Sequence, residues 1–391
     1  MNILTFSTLF PNAVQPVHGV FVENRLRHLV ASGEVSARVL APVPWFPFRH
    51  RRFGRYGVLA GVPHHERRHG LVVDHPRYPL VPRVGTSLAP ALLFLAMRPV
   101  VAELMRQGTD IDLIDAHYFY PDGVAAVMLG RVFSRPVVVT ARGSDLTLLA
   151  DQAVPRRFIR WAAARADGLV TVCQALKRRL VDLGIPEQRV VTLRNGVDLD
   201  LFRPGDRAAA RERLGLAGPT LLSVGLLIER KGHDLVIGAL PELPGVTLLI
   251  AGEGPERSSL EHLAARLGVA ERVRFLGQVA HERLPDLYTA ADCLVLASSR
   301  EGWANVLLEA MACGTPVVAS DVWGTAEVVA SPAAGLLLAE RTAREVARTV
   351  TRLLASPPER AAIRAYAEGY DWGETTRGQL ELFNRIVNRH R

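Results

Sequence analysis

The feature that most constrains the fold is a repeated alternation of short β-branched runs with amphipathic helical patterns. The runs lie at residues 2–9, 35–41, 112–116, 136–140, 168–172 and 190–193, and then at 220–224, 246–251, 273–276, 294–297 and 317–319. Helical patterns follow several of them, at residues 20–31, 123–133, 155–166, 174–183 and 206–214. This alternation predicts an α/β protein with parallel, doubly wound sheets and helices on both faces.

The number of strands predicts two domains, because two sheets of five or six strands suit 391 residues better than one open sheet. We place one Rossmann-like domain at residues 1–200 and a second at 201–372, with the boundary in the turn-rich stretch 194–204. The helical tail at 373–391 follows no strand of its own, and we expect it to pack back on the first domain. Ligands bind at the carboxyl ends of parallel strands, so we expect the active site in a cleft between two facing sheets.

Composition excludes several classes of protein. With 49% hydrophobic and 22% charged residues, the chain has the material for buried cores and is not disordered. No apolar run reaches the ~18 residues of a membrane span, and the most apolar stretch, 89–101, contains two prolines and an arginine. That stretch predicts a packed helix. The N-terminus lacks the basic flank and cleavage site of a secretory signal, and the three cysteines show no CxxC spacing. We therefore expect a cytoplasmic protein with reduced, buried thiols.

The net positive charge of the chain comes from its first half. Residues 1–200 carry 25 Lys and Arg against 16 Asp and Glu, whereas residues 201–391 carry 22 against 23. Such asymmetry indicates an anionic partner. The densest basic stretch, Trp45–Tyr56, has five aromatic residues and four arginines in twelve positions. It is either a solvated loop or a contact with anionic lipid headgroups at the inner face of the membrane. No nucleic-acid-binding motif accompanies the charge, so we expect no nucleic acid partner.

The strongest candidate site is SSREGWANVLLEAMACGTPVVA, residues 298–319. Glu301 ends a strand-to-helix loop, and Gly302 permits close backbone approach. The helix predicted from about Ala304 to Cys313 offers unpaired N–H groups in its first turn, which bind anions. Glu309 lies further along that helix among apolar neighbours, where a carboxylate usually has a dedicated partner, such as the vicinal diol of a ribose. The alternative is a solvated helix residue.

The stretch EGWANVLLEAMACGTPVV closely resembles the signature of the family 4 glycosyltransferases, in which seven residues separate two glutamates. Further matching stretches are SVGLLIERKGHDL, LLIAGEGPE, VRFLGQVAHERLPDLYTAADCLVLAS, RNGVDLDLF and DLIDAHYFYPDG. The resemblance covers the second half and part of the first. It implies the GT-B fold, two Rossmann-like domains facing across a cleft, and a retaining, metal-independent hexosyltransferase that uses a nucleotide-diphosphate sugar.

The resemblance also implies roles for residues of the second domain. Glu301 matches the glutamate that contacts the donor sugar, and Glu309 matches the one that holds the ribose. Lys231, with Arg230 before it, matches the lysine that neutralises the donor diphosphate, which gains negative charge as the glycosidic bond breaks. The backbone around Gly302 is expected to face the sugar and β-phosphate through the N–H groups of Trp303, Ala304, Asn305 and Val306.

One departure affects the cations around the diphosphate. Many relatives carry an arginine directly after the glycine matched by Gly225, and this chain has Leu226. Either Arg230 takes over the second diphosphate contact, or Lys231 works with less help. Lys231 is one of only two lysines in the chain, which favours a functional position over a solvated turn.

The first half supplies further candidates. Gly19, in VHGVF, matches a loop that admits phosphates or the acceptor close to the backbone; a plain turn is the alternative. His117 ends the strand DLIDAH and matches the histidine near the transferred sugar, where a neutral imidazole forms a hydrogen bond with a sugar hydroxyl. The alternative is a histidine of the core with all its hydrogen bonds made inside the protein. In TARGSDL, Gly143 and Asp145 fit the family pattern, whereas Arg142 replaces the histidine common in relatives and its role is open.

Two DxD spacings, Asp110–Asp112 and Asp198–Asp200, are those that a metal-dependent sugar transferase would use. The first lies at the start of a strand and the second in the linker, so both are attributed to chance. Enzymes of the GT-B group manage the diphosphate with helix dipoles and basic residues instead. We therefore predict no metal and no other cofactor.

The function expected from these observations is transfer of a sugar, with retention, to a polysaccharide or polyprenyl-linked acceptor in cell-surface glycan synthesis. An epimerase or phosphorylase of the GT-B fold, acting on the same kind of donor, is one alternative. A non-catalytic subunit that binds nucleotide sugars is another.

Overall fold

The computed structural model describes residues 1–50, 52, 54–80 and 85–390, with the backbone alone at residues 55, 85 and 86. The chain divides into two compact units, of which the first comprises Met1–Arg194 and the segment from Gly373 onward, and the second Asn195–Trp372. The chain passes from the first unit to the second between Arg194 and Asn195, at the start of the turn-rich stretch 194–204 in which the sequence analysis places the boundary.

The predicted runs of the first unit form strands and helices with small shifts at their ends, and several further short elements that the sequence analysis did not predict lie between them. Its strands are β1 (Asn2–Phe6), β2 (Ser36–Leu40), β3 (Val43–Pro44), β4 (His65–Arg68), β5 (Leu71–Asp74), β6 (Arg77–Tyr78), β7 (Leu113–His117), β8 (Val137–Ala141), β9 (Gly168–Thr171) and β10 (Val190–Thr192). Its helices are α1 (Val20–Ala31), α2 (Gly54–Leu59), α3 (Gly85–Arg106), α4 (Val124–Phe133), α5 (Ser144–Thr147), α6 (Ala153–Arg165) and α7 (Gln174–Asp182).

The second unit continues the alternation. Its helices are α8 (Arg207–Arg213), α9 (His233–Ala239), α10 (Arg257–Arg266), α11 (Leu284–Ala290), α12 (Asn305–Ala312), α13 (Thr325–Val328), α14 (Ala343–Ala355) and α15 (Arg360–Glu368). Its strands are β11 (Thr220–Val224), β12 (Thr247–Ala251), β13 (Val273–Gly277), β14 (Cys293–Leu296), β15 (Val317–Ser320) and β16 (Gly335–Leu338). Helix α16 (Trp372–His390) then returns the chain to the first unit.

The main sheet of the first unit has eight strands in the order β10-β9-β8-β7-β1-β2-β5-β4. Its central strands β7 and β8 are buried along their whole length, as in parallel sheets covered by helices on both faces. The expectation of five or six strands is wrong for this sheet, because β5 and β4 extend it. Strand β4 pairs antiparallel at the edge, and its polar sequence His65–Arg68 lacks an apolar pattern that would predict a strand.

Helix α16 belongs to the core of the first unit. Leu382, Phe383 and Ile386 join the cluster of buried side chains that contains Val138 of β8. Gly168, at the start of β9, makes room for the helix, since a Cβ there would lie 2.7 Å from Ile386 Cδ1. A helix that follows no strand of its own thus covers one face of the first sheet.

The sheet of the second unit has six parallel strands in the order β13-β12-β11-β14-β15-β16. The order reverses between β11 and β14, and ligands bind beside the carboxyl ends of strands at such a switch point. The loop after β11 carries Lys231, and the loop after β14 carries Glu301. This topology brings together two side chains that are far apart in the sequence.

One helix of the described residues, α3, is long and apolar enough to cross a membrane by length and composition, over Ser87–Arg106. The sequence expectation that no stretch meets this criterion is therefore wrong. Leu93, Met97 and Val101 are nevertheless buried within the unit, as expected for a packed helix. A single helix of this kind is a weak indication, because core helices of soluble proteins pass the same test.

The three cysteines are buried, as the sequence predicted. None of Cys173, Cys293 and Cys313, all within the described part of the chain, forms a disulfide. Burial raises the pKa of the Cys313 thiol to about 12, so this thiol stays protonated at neutral pH and has little nucleophilic character.

Candidate functional site

A buried ion pair lies at the switch point of the second sheet. Lys231 Nζ donates a hydrogen bond to Glu301 Oε1 at 2.7 Å, and Ser298 Oγ donates to the same oxygen at 2.7 Å. The two charged side chains are only 14% and 10% exposed. Lys231 ends a short 3-10 turn after β11, and Glu301 lies in the loop between β14 and α12. The structure thus joins the two residues that the sequence singled out.

Arg230 adds a second cation to this pair. Its Nη1 donates to the carbonyl of Arg300 at 2.7 Å and lies 3.4 Å from Glu301 Oε1. Burial alone would raise the pKa of Glu301, but Lys231 and Arg230 hold that pKa below its ordinary value. Leu226, which stands where many relatives carry arginine, is 55% exposed. Arg230 therefore supplies the positive charge beside Lys231.

Two glycines allow the loops after β11 and β12 to approach closely. Gly225 has φ +150°, and a Cβ there would lie 3.3 Å from Lys231 Cε, so the lysine stem passes over this glycine. At Gly252, with φ +155°, a Cβ would lie 1.8 Å from the carbonyl oxygen of Gly225. Any larger residue at position 252 would force the two backbones apart.

Helix α12 begins at Asn305, and the backbone at Ala304 caps it without a side-chain hydrogen bond. The helix is slightly shorter than predicted at both ends. The N–H of Asn305, one of the four expected to face the donor, bonds to the carbonyl of Trp303 at 3.1 Å. Trp303 and Ala304 are buried, and the Asn305 side chain accepts a hydrogen bond from Asn195 Nδ2 at 3.2 Å. These contacts fix the start of the helix.

Glu309 is held inside the second unit by two residues that the sequence analysis missed. Tyr288 donates its hydroxyl to Glu309 Oε2 at 2.8 Å, and His281 Nε2 lies 3.4 Å from Oε1. Burial would lower the pKa of His281, but the hydrogen bond and charge of Glu309 raise it. The ring of Phe202 packs against both His281 and Tyr288. Glu309 is therefore not a solvated helix residue, and its carboxylate orientation is set by side chains of other elements.

His233 anchors the loop that carries Lys231. Its Nε2 donates to the carbonyl of Leu226 at 3.3 Å, so its Nδ1 accepts from Ser223 Oγ at 2.9 Å. Burial lowers the pKa of His233 to about 4, which keeps the ring neutral at physiological pH. In the sequence, the only indication that this histidine belongs to the site was its position two residues after Lys231.

In the first unit, the strand order reverses between β1 and β7, and a tight loop follows β1. Gly19 has φ +74°, and a Cβ there would lie 2.4 Å from the carbonyl oxygen of Leu9, so only glycine fits. Asp122, which the sequence analysis did not single out, accepts from the backbone N–H of Thr8 at 2.7 Å. Burial raises the pKa of Asp122 to about 7. This carboxylate ties the loop after β1 to the segment after β7.

His117 lies at the end of β7 and is 1% exposed. Arg142 Nη2 donates to its Nδ1 at 2.7 Å, and its Nε2 lies 3.1 Å from Asp115 Oδ2. Burial lowers the pKa of His117 to about 4. The imidazole is neutral, as expected, but Arg142 and Asp115 occupy both ring nitrogens. The expected hydrogen bond from this ring to a sugar hydroxyl is therefore not available in this arrangement.

Asp145 shapes the turn after β8. Its carboxylate accepts from the backbone N–H groups of Gly143 at 2.7 Å and Phe119 at 2.8 Å. Burial raises the pKa of Asp145, against the effect of these hydrogen bonds. Arg142 also donates its backbone N–H to Asp145. Asp145 thus orients the backbone from which the Arg142 side chain extends.

The first unit contains an open pocket beside the carboxyl ends of β1 and β2. Its polar lining comes from Thr8, Asn12, Gln15, His18, His75 and Tyr78. Among the described residues, Gln15 Oε1 is buried there without a hydrogen-bond partner. Arg77 brings positive charge to its edge, since its Nη1 donates to the carbonyl of His75 at 2.8 Å. The pocket suits a polar ligand that brings negative charge.

The two DxD spacings form turns and strand ends. Asp112 Oδ2 accepts from the N–H of Asn2 at 2.7 Å, and Asp198 Oδ1 accepts from that of Leu201 at 3.0 Å. Throughout the residues that the structure describes, no group of three or more His, Cys, Asp or Glu side chains is placed to hold a metal ion.

Comparison with known proteins identifies the family. The family described as Glycosyltransferase Family 4 matches residues 19–201, and the family described as Glycosyl transferases group 1 matches residues 206–370. A D-inositol 3-phosphate glycosyltransferase of Nocardia farcinica is 35% identical over 321 residues, which cover 74% of this chain and 71% of the relative. Its counterpart in Mycobacteroides abscessus is 33% identical over 312 residues, covering 74% of this chain and 69% of the relative.

Solved structures share the fold. Sucrose-phosphate synthase from Thermosynechococcus elongatus matches with a TM-score of 0.83 and 21% identity, over 99% of both chains. HepE of Anabaena in complex with UDP matches with a TM-score of 0.74 and 21% identity, over 98% of this chain and 100% of that one. Together with the two doubly wound sheets, these similarities establish that the chain belongs to the family 4 glycosyltransferases and has the two-domain, Rossmann-like GT-B fold.

Proposed function

We propose that this glycosyltransferase moves a hexosyl group from a nucleotide-diphosphate sugar, with retention of configuration and without a metal ion. The observation that carries the proposal is the buried pair of Lys231 and Glu301 at the switch point of the second sheet, with Glu309 on the helix that follows. A fixed cation and two carboxylates at the carboxyl edge of a parallel sheet suit a pyrophosphate joined to two polyhydroxylated rings.

The diphosphate is the leaving group, so its departure is the step that needs positive charge. Lys231 and Arg230 supply two cations, and the N-terminal turn of α12 adds its dipole. In this proposal Lys231 turns from Glu301 toward the phosphates when the donor binds. No side chain among the candidates is positioned as a covalent nucleophile, which favours a front-face substitution.

The two glutamates recognise the rings of the donor. Glu301, with Gly302 beside it, accepts hydrogen bonds from hydroxyls of the transferred sugar, and Glu309 accepts those of the ribose. Tyr288 and His281 already orient Glu309 before the donor arrives, so little rotational freedom is lost on binding. The backbone N–H groups of Trp303, Ala304 and Val306 complete the contact with the sugar and β-phosphate, whereas that of Asn305 is bonded to the carbonyl of Trp303.

The acceptor is assigned to the first unit, to the loop at Gly19 and the pocket beside it. A polysaccharide or polyprenyl-linked acceptor of cell-surface glycan synthesis is the first candidate. A small phosphorylated polyol is the second, favoured by the relatives named D-inositol 3-phosphate glycosyltransferases. The positive charge of Arg77 beside His75 of this pocket is compatible with both anionic acceptors.

Peripheral contact with an anionic membrane is part of the proposal. Trp45 and Phe48 are 57% and 55% exposed, and Arg49 is exposed beside them. Arg51 and Phe53 of the same stretch lie outside the described residues. Aromatic rings insert at the headgroup level and arginines pair with lipid phosphates, so these exposed groups suit the cytoplasmic surface of a membrane.

The test is a thermal-shift screen against a panel of nucleotide sugars that begins with UDP-glucose, followed by product analysis with the labelled donor. A donor present at 100 times its dissociation constant should add about 2.7 kcal/mol to the unfolding free energy. A transferase yields a labelled glycoside only when acceptor is present, and the new linkage keeps the anomeric configuration of the donor.

Other outcomes decide against the proposal. An isomerised nucleotide sugar formed without acceptor would indicate an epimerase, and a sugar phosphate formed with inorganic phosphate would indicate a phosphorylase. Donor binding without any product, in the presence of both acceptor classes, would indicate a non-catalytic subunit. Inversion of configuration would contradict the retaining mechanism.

A further inference from the structure

A hydrogen-bond network of buried polar side chains connects the C-terminal helix with the residue that follows β8. Arg25 of α1 donates its Nε to Gln379 Oε1 at 2.8 Å, and Gln379 Nε2 donates to Asp115 Oδ2 at 3.3 Å. The same carboxylate oxygen lies 3.1 Å from His117 Nε2, and His117 Nδ1 lies 2.7 Å from Arg142 Nη2. All five side chains belong to the first unit.

The guanidinium groups of Arg25 and Arg142 and the carboxylate of Asp115 determine the direction of every hydrogen bond in this network. Guanidinium groups only donate and an ionised carboxylate only accepts, so the Gln379 amide can have only one orientation. His117 must accept from Arg142 at Nδ1, and its single proton must sit on Nε2 toward Asp115. His117, Arg25 and Arg142 together hold the pKa of Asp115 below its ordinary value, although burial alone would raise it. Asp115 is therefore ionised, and the tautomer of His117 is determined.

Arg142 differs from the other four members of the network in its exposure to solvent. Arg25, Gln379, Asp115 and His117 are 1–2% exposed, whereas Arg142 is 8% exposed. Arg25 is further held by the carbonyl of Leu193 at 3.0 Å. The other four members of the network thus lie in the core, and Arg142 is the member closest to solvent, at the carboxyl edge of the sheet.

We propose that Gln379 is a positioning residue, which acts through Asp115 and His117 to orient the guanidinium of Arg142 for sugar transfer. The proposal rests on the proposed function, in which the acceptor binds to the first unit. It gives the C-terminal helix a role beyond covering the sheet, because α16 supplies the amide on which the orientation of His117 depends. It also explains how arginine stands at position 142, since the neutral Nδ1 of His117 is its acceptor.

The first measurement is the tautomer of His117, by long-range ¹H–¹⁵N NMR of the histidine-labelled full chain. The His117 signals are assigned as those missing from His117→Gln. We expect Nε2 protonated and Nδ1 unprotonated in the unmodified protein. The opposite tautomer, with the proton on Nδ1, would overturn the proposal, because that nitrogen could then not accept from Arg142. This measurement needs no enzyme turnover and holds even if the proposed function fails.

The second measurement compares two variants of α16. Gln379→Met keeps the volume of the side chain but removes the amide. Thr375→Val is the matched control, because it removes a buried hydrogen bond of the same helix that is not part of the network. In that bond, Thr375 Oγ1 donates to the carbonyl of Arg194 at 2.5 Å. We expect Gln379→Met to change the His117 ¹⁵N shifts and to lower kcat on the order of tenfold, with the donor KM within about twofold.

Thr375→Val should leave the His117 shifts and kcat close to those of the unmodified chain. Equal effects of the two variants would mean that Gln379 only packs the helix against the sheet. Unchanged His117 shifts in Gln379→Met would show that Gln379 does not influence His117 through the network. If Gln379→Met does not fold, Gln379→Asn, which keeps the amide on a shorter stem, takes its place with the same expected direction. If no donor is turned over by the unmodified protein, the proposed function fails, and the NMR shifts alone decide on Gln379.

Discussion

Lys231 and Glu301 are seventy positions apart in the sequence, yet Nζ and Oε1 lie 2.7 Å apart in the second unit. The reversal of strand order between β11 and β14 places the loops that carry them side by side. With little exposure on either side chain, the pair neutralises charge that would be costly to bury alone. In the proposed function, Lys231 turns away from this pair toward the phosphates when a pyrophosphate binds.

Removal of one partner of this pair should cost both stability and activity. We expect Lys231→Met to lower the unfolding free energy by about 3–5 kcal/mol, because Glu301 is left as an unpaired, mostly buried charge. It should also lower kcat on the order of 100- to 1000-fold through lost stabilisation of the leaving group. Chemical denaturation and steady-state kinetics measure the two effects.

The double variant Lys231→Met with Glu301→Gln separates these effects. It should regain much of the stability, because no unpaired carboxylate remains, but not the activity. Recovery of turnover in the double variant would show that Lys231 serves only the ion pair.

Glu309→Ala should weaken use of the donor by about 1.5–3 kcal/mol in kcat/KM, through loss of charge-assisted hydrogen bonds to the ribose. A sharper measurement is calorimetric binding of the ribonucleoside diphosphate and its 2′,3′-dideoxy analogue. The unmodified enzyme should prefer the ribonucleotide, and Glu309→Ala should lose that preference. Tyr288→Phe is the control, since it removes one hydrogen bond to Glu309 and keeps the carboxylate. A variant without Glu309 that still discriminates would exclude the ribose contact.

His233 should make stability depend on pH between its two pKa values, about 6.5 in the unfolded chain and about 4 in the folded unit. Above pH 6.5 the ring is neutral in both states. As pH falls from about 6.5 to about 4, only the unfolded state takes up the proton, so the unfolding free energy falls by at most about 1.4 kcal/mol per pH unit for this group. Urea denaturation from pH 4.5 to 7.5 should give a shallower dependence for His233→Gln than for the unmodified chain.

The exposed residue His262 of α10 is the matched control for this titration. The slope of His262→Gln is therefore measured alongside that of His233→Gln. A slope that does not change in His233→Gln would contradict the buried, neutral state of that ring.

Gly19→Ala should be more damaging than Gly33→Ala, although both glycines flank α1 with nearly the same φ, +74° and +78°. At Gly33 a Cβ meets nothing within 4 Å, whereas at Gly19 it would lie 2.4 Å from the carbonyl oxygen of Leu9. We expect about 1–2 kcal/mol for the φ penalty at Gly33 and more at Gly19, where the backbone must also move. Denaturation gives both costs, and hydrogen exchange at residues 8–12 should rise only in Gly19→Ala. Equal costs would mean that the close approach is not tight.

The exposed side chains of Trp45, Phe48 and Arg49 predict binding to anionic vesicles. Arg49→Ala should weaken sedimentation with phosphatidylserine-containing vesicles by about 1 kcal/mol, roughly fivefold, and added salt should reduce binding further. Trp45→Ala should weaken it through lost insertion at the interface. Arg203→Ala, at an exposed position of the second unit, is the control and should leave binding unchanged. Equal binding to neutral and anionic vesicles would argue against the electrostatic contact.

Much of the candidate site in the second unit could be predicted from the chain, because its residues lie in local patterns. Glu301 and Glu309 belong to one loop and the helix that follows, and Lys231 to the turn after a strand. Their partners could not be predicted in the same way. Tyr288 and His281 come from another helix and the turn before it, and only the packing of α11 against α12 brings them to Glu309.

The first unit illustrates the limits of a local pattern more strongly. His117 was expected from its place at a strand end, but the hydrogen bonds that it makes depend on Arg142, directly after the next strand, and on Asp115 two residues earlier. Strand β4 escaped detection because an edge strand made of polar residues has no buried face to impose an alternation.

The order of residues along the chain determines the α/β class, the strands and helices, and the glycines and charged side chains of the loops, because each of these depends on neighbours a few positions away. The tertiary structure decides which loops become adjacent, which carboxylates gain partners, and on which nitrogen His117 holds its proton. These outcomes depend on strand order and on the return of α16 to the first sheet. Such contacts join residues up to several hundred positions apart, for which no local period in the sequence exists.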